Sequence, residues 1–187
     1  MNAEKSLALA TALFPLEQWI GIDQHIYMAA SRAPRSSRQS EILEQELSQA
    51  RILAALGHTV YLLPEFGPRK TKHPDAIVDG LIMEFKTVSG NERKIRENFK
   101  DARKKAENVF LVIDAGYTQE TVLKGLIGTV RRGNYSGGMV IAHFARAGKT
   151  YYWSIDSMKK SPAKKPDYAP RVCNGYSPPK YTQVFIV

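Results

Sequence analysis

The stretch from Pro74 to Lys86, PDAIVDGLIMEFK, admits very few folds. An Asp-Gly pair between two apolar runs is a strong short-range signal for a two-residue β-hairpin, because a type I′ turn needs positive φ at both central residues. Placing Asp79-Gly80 at the turn fixes what surrounds it. Val78 then faces Leu81, Ile77 faces Ile82, Ala76 faces Met83, and Asp75 lies across from Glu84. Opposed residues share a sheet face, as do residues two apart on one strand, so Asp75, Glu84 and Lys86 fall on one face at the open end of the hairpin.

The rest of the chain supplies partners for such a hairpin. From Ser40, Leu43, Leu47, Ala50 and Ala54 recur at helical spacing until Gly57 stops the helix, and HTVYLLPE reads as a strand ended by Pro64. After the hairpin, Ile95, Phe99, Ala102 and Ala106 form the apolar stripe of an otherwise charged helix. A continuous apolar strand starts at Val109, and a helix follows with Thr118 as cap and Gly133 as end. MVIAHFA and YYWSI predict a last pair of strands around the turn RAGK. The expected order, α-β-β-β-α-β followed by a helix and two strands, describes an α/β domain with a mixed central sheet flanked by helices. We place that domain at residues 40–156. Residues 1–39 read as an N-terminal helical arm and Ser/Pro/Arg linker, and 157–187 as a basic, Tyr/Pro-rich extension in which Tyr168, Tyr176 and Tyr181 could stack on bases.

Charge narrows the partners. The 187 residues carry a formal net charge of +9, and a field of that sign attracts polyanions, nucleic acid first among them. No apolar stretch reaches the length needed to cross a bilayer, which points to a soluble chain with no membrane partner. The single Cys173 excludes an internal disulfide framework and a cysteine-based zinc site.

The converging charges ask for a ligand. Two carboxylates a few ångströms apart repel unless a cation lies between them, and Mg²⁺ prefers such oxygen ligands. A lysine beside them can hold a water or offset charge developing on a phosphate. The bland reading is an edge pair of strands with one charged face. Glu-x-Lys alone carries little weight, since Glu92-Arg93-Lys94 repeats it on a predicted helix. ARAGKT at 145–150 lacks the first glycine of a phosphate-binding loop, having His143 there, and suits a hairpin turn better. Asp79 is accounted for by the turn, and His25, His58 and His143 read as structural.

Pro74-Asp75 followed by Glu84-Phe85-Lys86 resembles the signature of the PD-(D/E)xK nuclease superfamily, and the expected element order resembles its restriction-endonuclease-like core. More narrowly, residues 73–114 resemble the C-terminal nuclease domain of contact-dependent growth-inhibition toxins and related mobile-element proteins, a family associated with tRNA cleavage. Lys105 stands where that narrower family carries glutamine. The resemblance implies Asp75 and Glu84 as metal ligands, the Phe85 carbonyl as a third, Lys86 as catalytic lysine and Glu46 as an assisting helix glutamate. It also implies Mg²⁺ as cofactor, with Mn²⁺ or Zn²⁺ as substitutes.

The expected function is therefore metal-dependent phosphodiester hydrolysis. RNA, tRNA in particular, is the first substrate and DNA the second, with action in the cytoplasm, including that of another cell after delivery. An immunity protein would be a partner of a toxin. Arg93, Lys94, Arg96, Lys100, Arg103 and Lys104 form a candidate phosphate-contacting surface, seven basic residues standing against two acidic ones between Arg93 and Lys105. His73 is either an acid or phosphate contact or a solvated loop residue. The rival from another class is a non-catalytic nucleic-acid-binding or mobile-element structural protein of the same fold.

Overall fold

The turn of the hairpin is as the sequence requires. Asp79 and Gly80 both have positive φ, 50° and 84°, and the pairs are Ala76 with Met83, Ile77 with Ile82 and Val78 with Leu81. These coordinates come from a computed structural model that describes residues 2–65 and 73–160. The chain divides into two compact units, Met1–Phe85 and Lys86–Val187.

The first unit contains α1 (Asn2–Leu13), β1 (Trp19–Asp23), β2 (Ile26–Ala29), a 3-10 turn (Ala30–Arg32), α2 (Ser37–Ala55), β3 (Val60–Leu62), β4 (Ala76–Val78) and the start of β5 (Leu81–Val88). Its strands lie in sequence order. β1 and β2 are antiparallel, β2 and β3 parallel across the α2 crossover, and β3, β4 and β5 antiparallel. The segment expected to be an arm and linker therefore contributes two strands, β1 and β2, to the sheet. WIGID and IYMA pair antiparallel around the turn at Gln24 and His25, and the Ser/Pro/Arg stretch after them is only the short entry to α2. That helix begins earlier than expected, because Ser36 is its cap and accepts a 3.3 Å hydrogen bond from the Gln39 amide. Gly57, at φ 87°, ends it.

Helix α1 is likewise part of this unit. Buried Ala10 packs with Tyr61, Leu63 and Ile77, surrounded by Leu9, Phe14, Trp19, Tyr27 and Ile82. Its fully buried Ser6 accepts a 2.8 Å hydrogen bond from the Gly80 amide. The other side of the same turn is held by His58 and Thr59. The Asp79 carboxylate contacts His58 Nδ1 at 2.7 Å and accepts the Thr59 amide at 2.9 Å, and the Asp79 amide donates to Thr59 O at 3.0 Å. The His58 and Asp79 side chains are each only 1% exposed. Asp79 is thus more than a turn former: it is a buried acceptor that joins the end of α2 to the hairpin.

The second unit takes the end of β5, then α3 (Glu92–Ala102), β6 (Asn108–Ile113), α4 (Gln119–Arg132), β7 (Met139–Phe144), β8 (Lys149–Ser154) and α5 (Ile155–Lys160). β6 and β7 are parallel across α4, and β7 and β8 antiparallel. Thr118 caps α4 by accepting the Thr121 amide at 3.2 Å, and Gly133 is its C-cap, as the sequence predicts. Ile95, Phe99 and Ala102 of α3 and Val122, Leu126 and Val130 of α4 share one core with Val109, Leu111 and Ile113. ARAGKT is the β7–β8 turn, with Gly148 at φ 60°. The extension starts later than residue 157, because Ile155 and Met158 are buried and form one face of α5. Tyr168, Tyr176, Tyr181 and Cys173 lie outside the described residues.

The turn makes a direct stability prediction. A side chain on Gly80 must hold a left-handed conformation, and its Cβ would stand 3.3 Å from Lys5 Cβ. Gly80→Ala should cost about 1–2 kcal/mol, read as a fall in the urea midpoint. Gly21→Ala, where a Cβ meets nothing within 4 Å, should leave the midpoint nearly unchanged.

Candidate functional site

Asp75 sits where the β4–β5 ladder ends. Pro74 before it has no amide to donate, so regular pairing stops there. The Asp75 carboxylate takes over instead: its Oδ2 accepts the Phe85 amide at 2.7 Å. The Asp75 carbonyl accepts the Leu63 amide at 2.9 Å, which ties the residue to the end of β3 as well. The residue is therefore held from both neighbouring strands, by its carbonyl on the β3 side and its carboxylate on the β5 side.

Glu84 lies opposite Asp75 by continuation of the observed register, on the face that carries Ile77 and Ile82. It has no exposed surface. A strand residue sends its amide and carbonyl to the same side in an antiparallel pair, so the Phe85 carbonyl leaves β5 on the side of Asp75. The chemistry of this donor set, two carboxylates and a main-chain oxygen, fits a hard divalent cation. Among the described residues no group of three or more His, Cys, Asp or Glu side chains is placed to hold a metal ion. Main-chain oxygen and water must therefore complete any such sphere, as Mg²⁺ commonly accepts.

Glu46 projects from α2 into a nearly closed environment, its side chain 14% exposed. Burial raises its pKa up to about 7; the Arg32 guanidinium opposes this, while the negative charges of Asp75 and Glu65 add to it. That mutual influence places Glu46 within electrostatic reach of Asp75. The partner that holds it is Arg32, whose Nη2 donates to Glu46 Oε2 and whose Nη1 donates to Leu63 O. Arg32 was invisible in the sequence: it lies in a Ser/Pro/Arg run that looks like linker, and no periodic pattern singles it out.

Lys86 follows Glu84 by two residues along β5, hence on the same face of that strand, and is half-buried. Within its own unit its charge lowers the Asp101 pKa, after the larger effects of the Lys104 hydrogen bond and charge.

The basic residues of α3 are not equivalent. Arg93 and Lys94 contact Glu97 at 2.6 and 2.9 Å, Arg96 contacts Glu92 at 2.7 Å, and Lys104 contacts Asp101 at 2.6 Å. Exposed pairs of this kind contribute little to stability, so these cations can transfer to phosphate at small cost. Lys100 is exposed. Arg103 departs from the expected role: its guanidinium donates to the carbonyls of Glu107 and Ser136 and lies 5.2 Å from the Tyr135 ring centroid. It braces the connection between α4 and β7. His73 packs edge-on against Phe14 with ring centroids 5.3 Å apart. Glu92-Arg93-Lys94 lies on α3, as its helical context predicted.

Residues 72–133 match the family model described as the contact-dependent growth inhibition CdiA C-terminal domain. This is about a third of the chain and includes Asp75, Glu84, Lys86 and all of α3. A solved structure described as a CdiA-CT/CdiI toxin and immunity complex from Burkholderia pseudomallei is similar at 20% identity and a TM-score of 0.47, covering 65% of this chain and 91% of that chain. No curated protein matches.

Glu46 gives the site a pH signature. The folded chain favours its protonated form, so its contribution to stability is complete below about pH 4.3, the unfolded value, and is lost as pH rises through about 7. Between pH 5 and 8 stability should fall by on the order of 2–3 kcal/mol from this group. Urea titrations should show that slope in the wild type and its loss in Glu46→Gln.

Proposed function

We propose that the chain is a metal-dependent nuclease that hydrolyses phosphodiesters, of the PD-(D/E)xK kind and with a restriction-endonuclease-like core. The observation that carries this reading is the hairpin register: continued one pair beyond Ala76 and Met83, it would set the buried Glu84 opposite Asp75, with Lys86 two residues further along the same strand. An edge pair with one solvated charged face does not account for it, because Glu84 is wholly buried.

Asp75 and Glu84, with the Phe85 carbonyl, would hold Mg²⁺, for which Mn²⁺ or Zn²⁺ could substitute. Such an ion lowers the pKa of bound water and offsets charge on the phosphate. Lys86 would position the attacking water and stabilise the charge that develops on the phosphoryl oxygens. Arg93, Lys94, Arg96, Lys100 and Lys104 would contact phosphates of the bound strand. Glu46 would assist from α2.

The match over residues 72–133 to a growth-inhibition toxin domain supports a toxin; the substrate we propose for it is RNA, tRNA foremost, with DNA as the alternative. Such a toxin would act in the cytoplasm of a recipient cell and meet an immunity protein in the cell that makes it.

The test is to incubate the protein with tRNA and with plasmid DNA in Mg²⁺, Mn²⁺, Zn²⁺ or EDTA. Cleavage should require the metal, and Glu84→Gln and Lys86→Ala should each reduce it by about 100-fold or more without loss of fold. Cleavage untouched by both substitutions would sink the assignment. Binding without cleavage in any metal would favour the non-catalytic nucleic-acid-binding protein.

A further inference from the structure

Arg32 is the residue whose placement is least explained by the roles assigned so far. It closes the 3-10 turn after β2, and its side chain is only 7% exposed. Burying a guanidinium is costly unless its charge is paired and its donors are used. Here both conditions are met by one constellation. One terminal nitrogen donates to the Glu46 carboxylate, and the other donates to Leu63 O, with the Asp75 carbonyl at a longer 3.4 Å. Leu63 N in turn donates to that same Asp75 carbonyl at 2.9 Å.

These contacts fall where the sheet offers the least support. The β3–β4 ladder is only three pairs long and stops at Leu62 with Ala76. Beyond that point the main chain that carries Asp75 is held by the Leu63 amide and, more loosely, by Arg32. The planar fork of arginine reaches acceptors on two separate segments at once, which a lysine point charge cannot reproduce. The same fork occupies Glu46, and a carboxylate bonded to a permanently charged guanidinium is poorly available as a metal ligand.

We infer that Arg32 is a positioning residue of the candidate site: it clamps the main chain at Leu63 and Asp75 and engages Glu46, so that Glu46 acts through Arg32 and does not bind the metal. The inference deepens the nuclease reading and rests on it only for the metal. It assigns Glu46 a different part from Asp75 and Glu84, although all three are carboxylates of the first unit.

The test compares wild type with Arg32→Ala, Arg32→Lys, Glu46→Gln and the Arg32→Ala/Glu46→Gln double variant, using two readouts that need no activity. The first is amide hydrogen exchange by NMR. Arg32→Ala should accelerate exchange at Leu63 and Phe85, the two amides bonded to Asp75, by at least tenfold, with Val60 and Tyr61 unchanged. Arg32→Lys should fall between, and millimolar methylguanidine should restore protection in Arg32→Ala. Equal acceleration throughout β3, or none at Leu63 and Phe85, would overturn the clamp. The second readout is Mn²⁺ binding by calorimetry in the absence of nucleic acid. Glu46→Gln should keep affinity within about threefold of wild type, Arg32→Ala should weaken it at least tenfold, and the double variant should add no further loss. Loss of Mn²⁺ binding in Glu46→Gln equal to that in Asp75→Ala would make Glu46 a ligand and refute the inference. A wild type that binds no Mn²⁺ removes the nuclease reading, and the exchange pattern then decides the clamp by itself.

Discussion

A buried imidazole and a buried carboxylate 2.7 Å apart join the end of α2 to a two-residue turn, and the geometry of the first unit follows from that join. Asp79 supplies positive φ at the first turn position while its carboxylate takes His58 Nδ1 and the Thr59 amide. The turn is thereby fixed to β3 as well as to its own two strands. A slip of one residue would carry Ile77, Ile82 and Glu84 to the opposite face, strip Asp79 from His58 and leave two buried polar groups unsatisfied. The local preference of Asp-Gly, the apolar alternation and the buried pair all select the same register, the kind of agreement across levels that defines one structure.

That register gathers negative charge. In the first unit Glu46 lies within electrostatic reach of Asp75, and the buried Arg32 is a cation that the chain itself supplies to Glu46. The cost is visible in Glu46, whose pKa burial raises to about 7 despite its arginine. In the second unit the imbalance is reversed: α3 carries its cations on exposed positions, paired only with helix neighbours three or four residues away. Buried charge of one sign and exposed charge of the other answer to different ligands, a small hard cation in one case and a phosphate chain in the other.

What could be read in advance depended on the range of the interaction. The hairpin pairs, the Thr118 cap, the Gly133 end and the order of elements from α2 to β8 are encoded within a few residues of where they act, and the sequence displays them. β1 and β2 were hidden because each is short and gains its stability only on joining β3. The burial of Met158 depends on a core assembled from α3, α4 and β6 to β8, so the last four residues of α5 passed for a tail. Arg103 looked like one more member of a charged run, because its bonds to Glu107 and Ser136 arise only from tertiary placement. At the candidate site, the register from which Asp75, Glu84 and Lys86 were picked out was legible through the turn. Arg32 was not: its partners Leu63 and Asp75 lie more than thirty residues away in sequence, and nothing local separates it from Arg35 or Arg38.

The Asp79-Gly80 pair carries a chemical liability that the fold suppresses. Asp-Gly is the aspartyl dipeptide most given to succinimide closure, in which the glycine nitrogen attacks the side-chain carboxyl carbon with loss of water and the chain emerges partly as isoaspartate. Here the nucleophile is engaged, since the Gly80 amide donates to buried Ser6. The electrophile is engaged as well, both carboxylate oxygens being held by Thr59 and His58. Ring closure therefore has to wait for the turn to open, which makes the covalent lifetime of this backbone a property of its folded state. A chain that dwelt long unfolded would age at the one peptide bond on which the position of Asp75 opposite Glu84 depends.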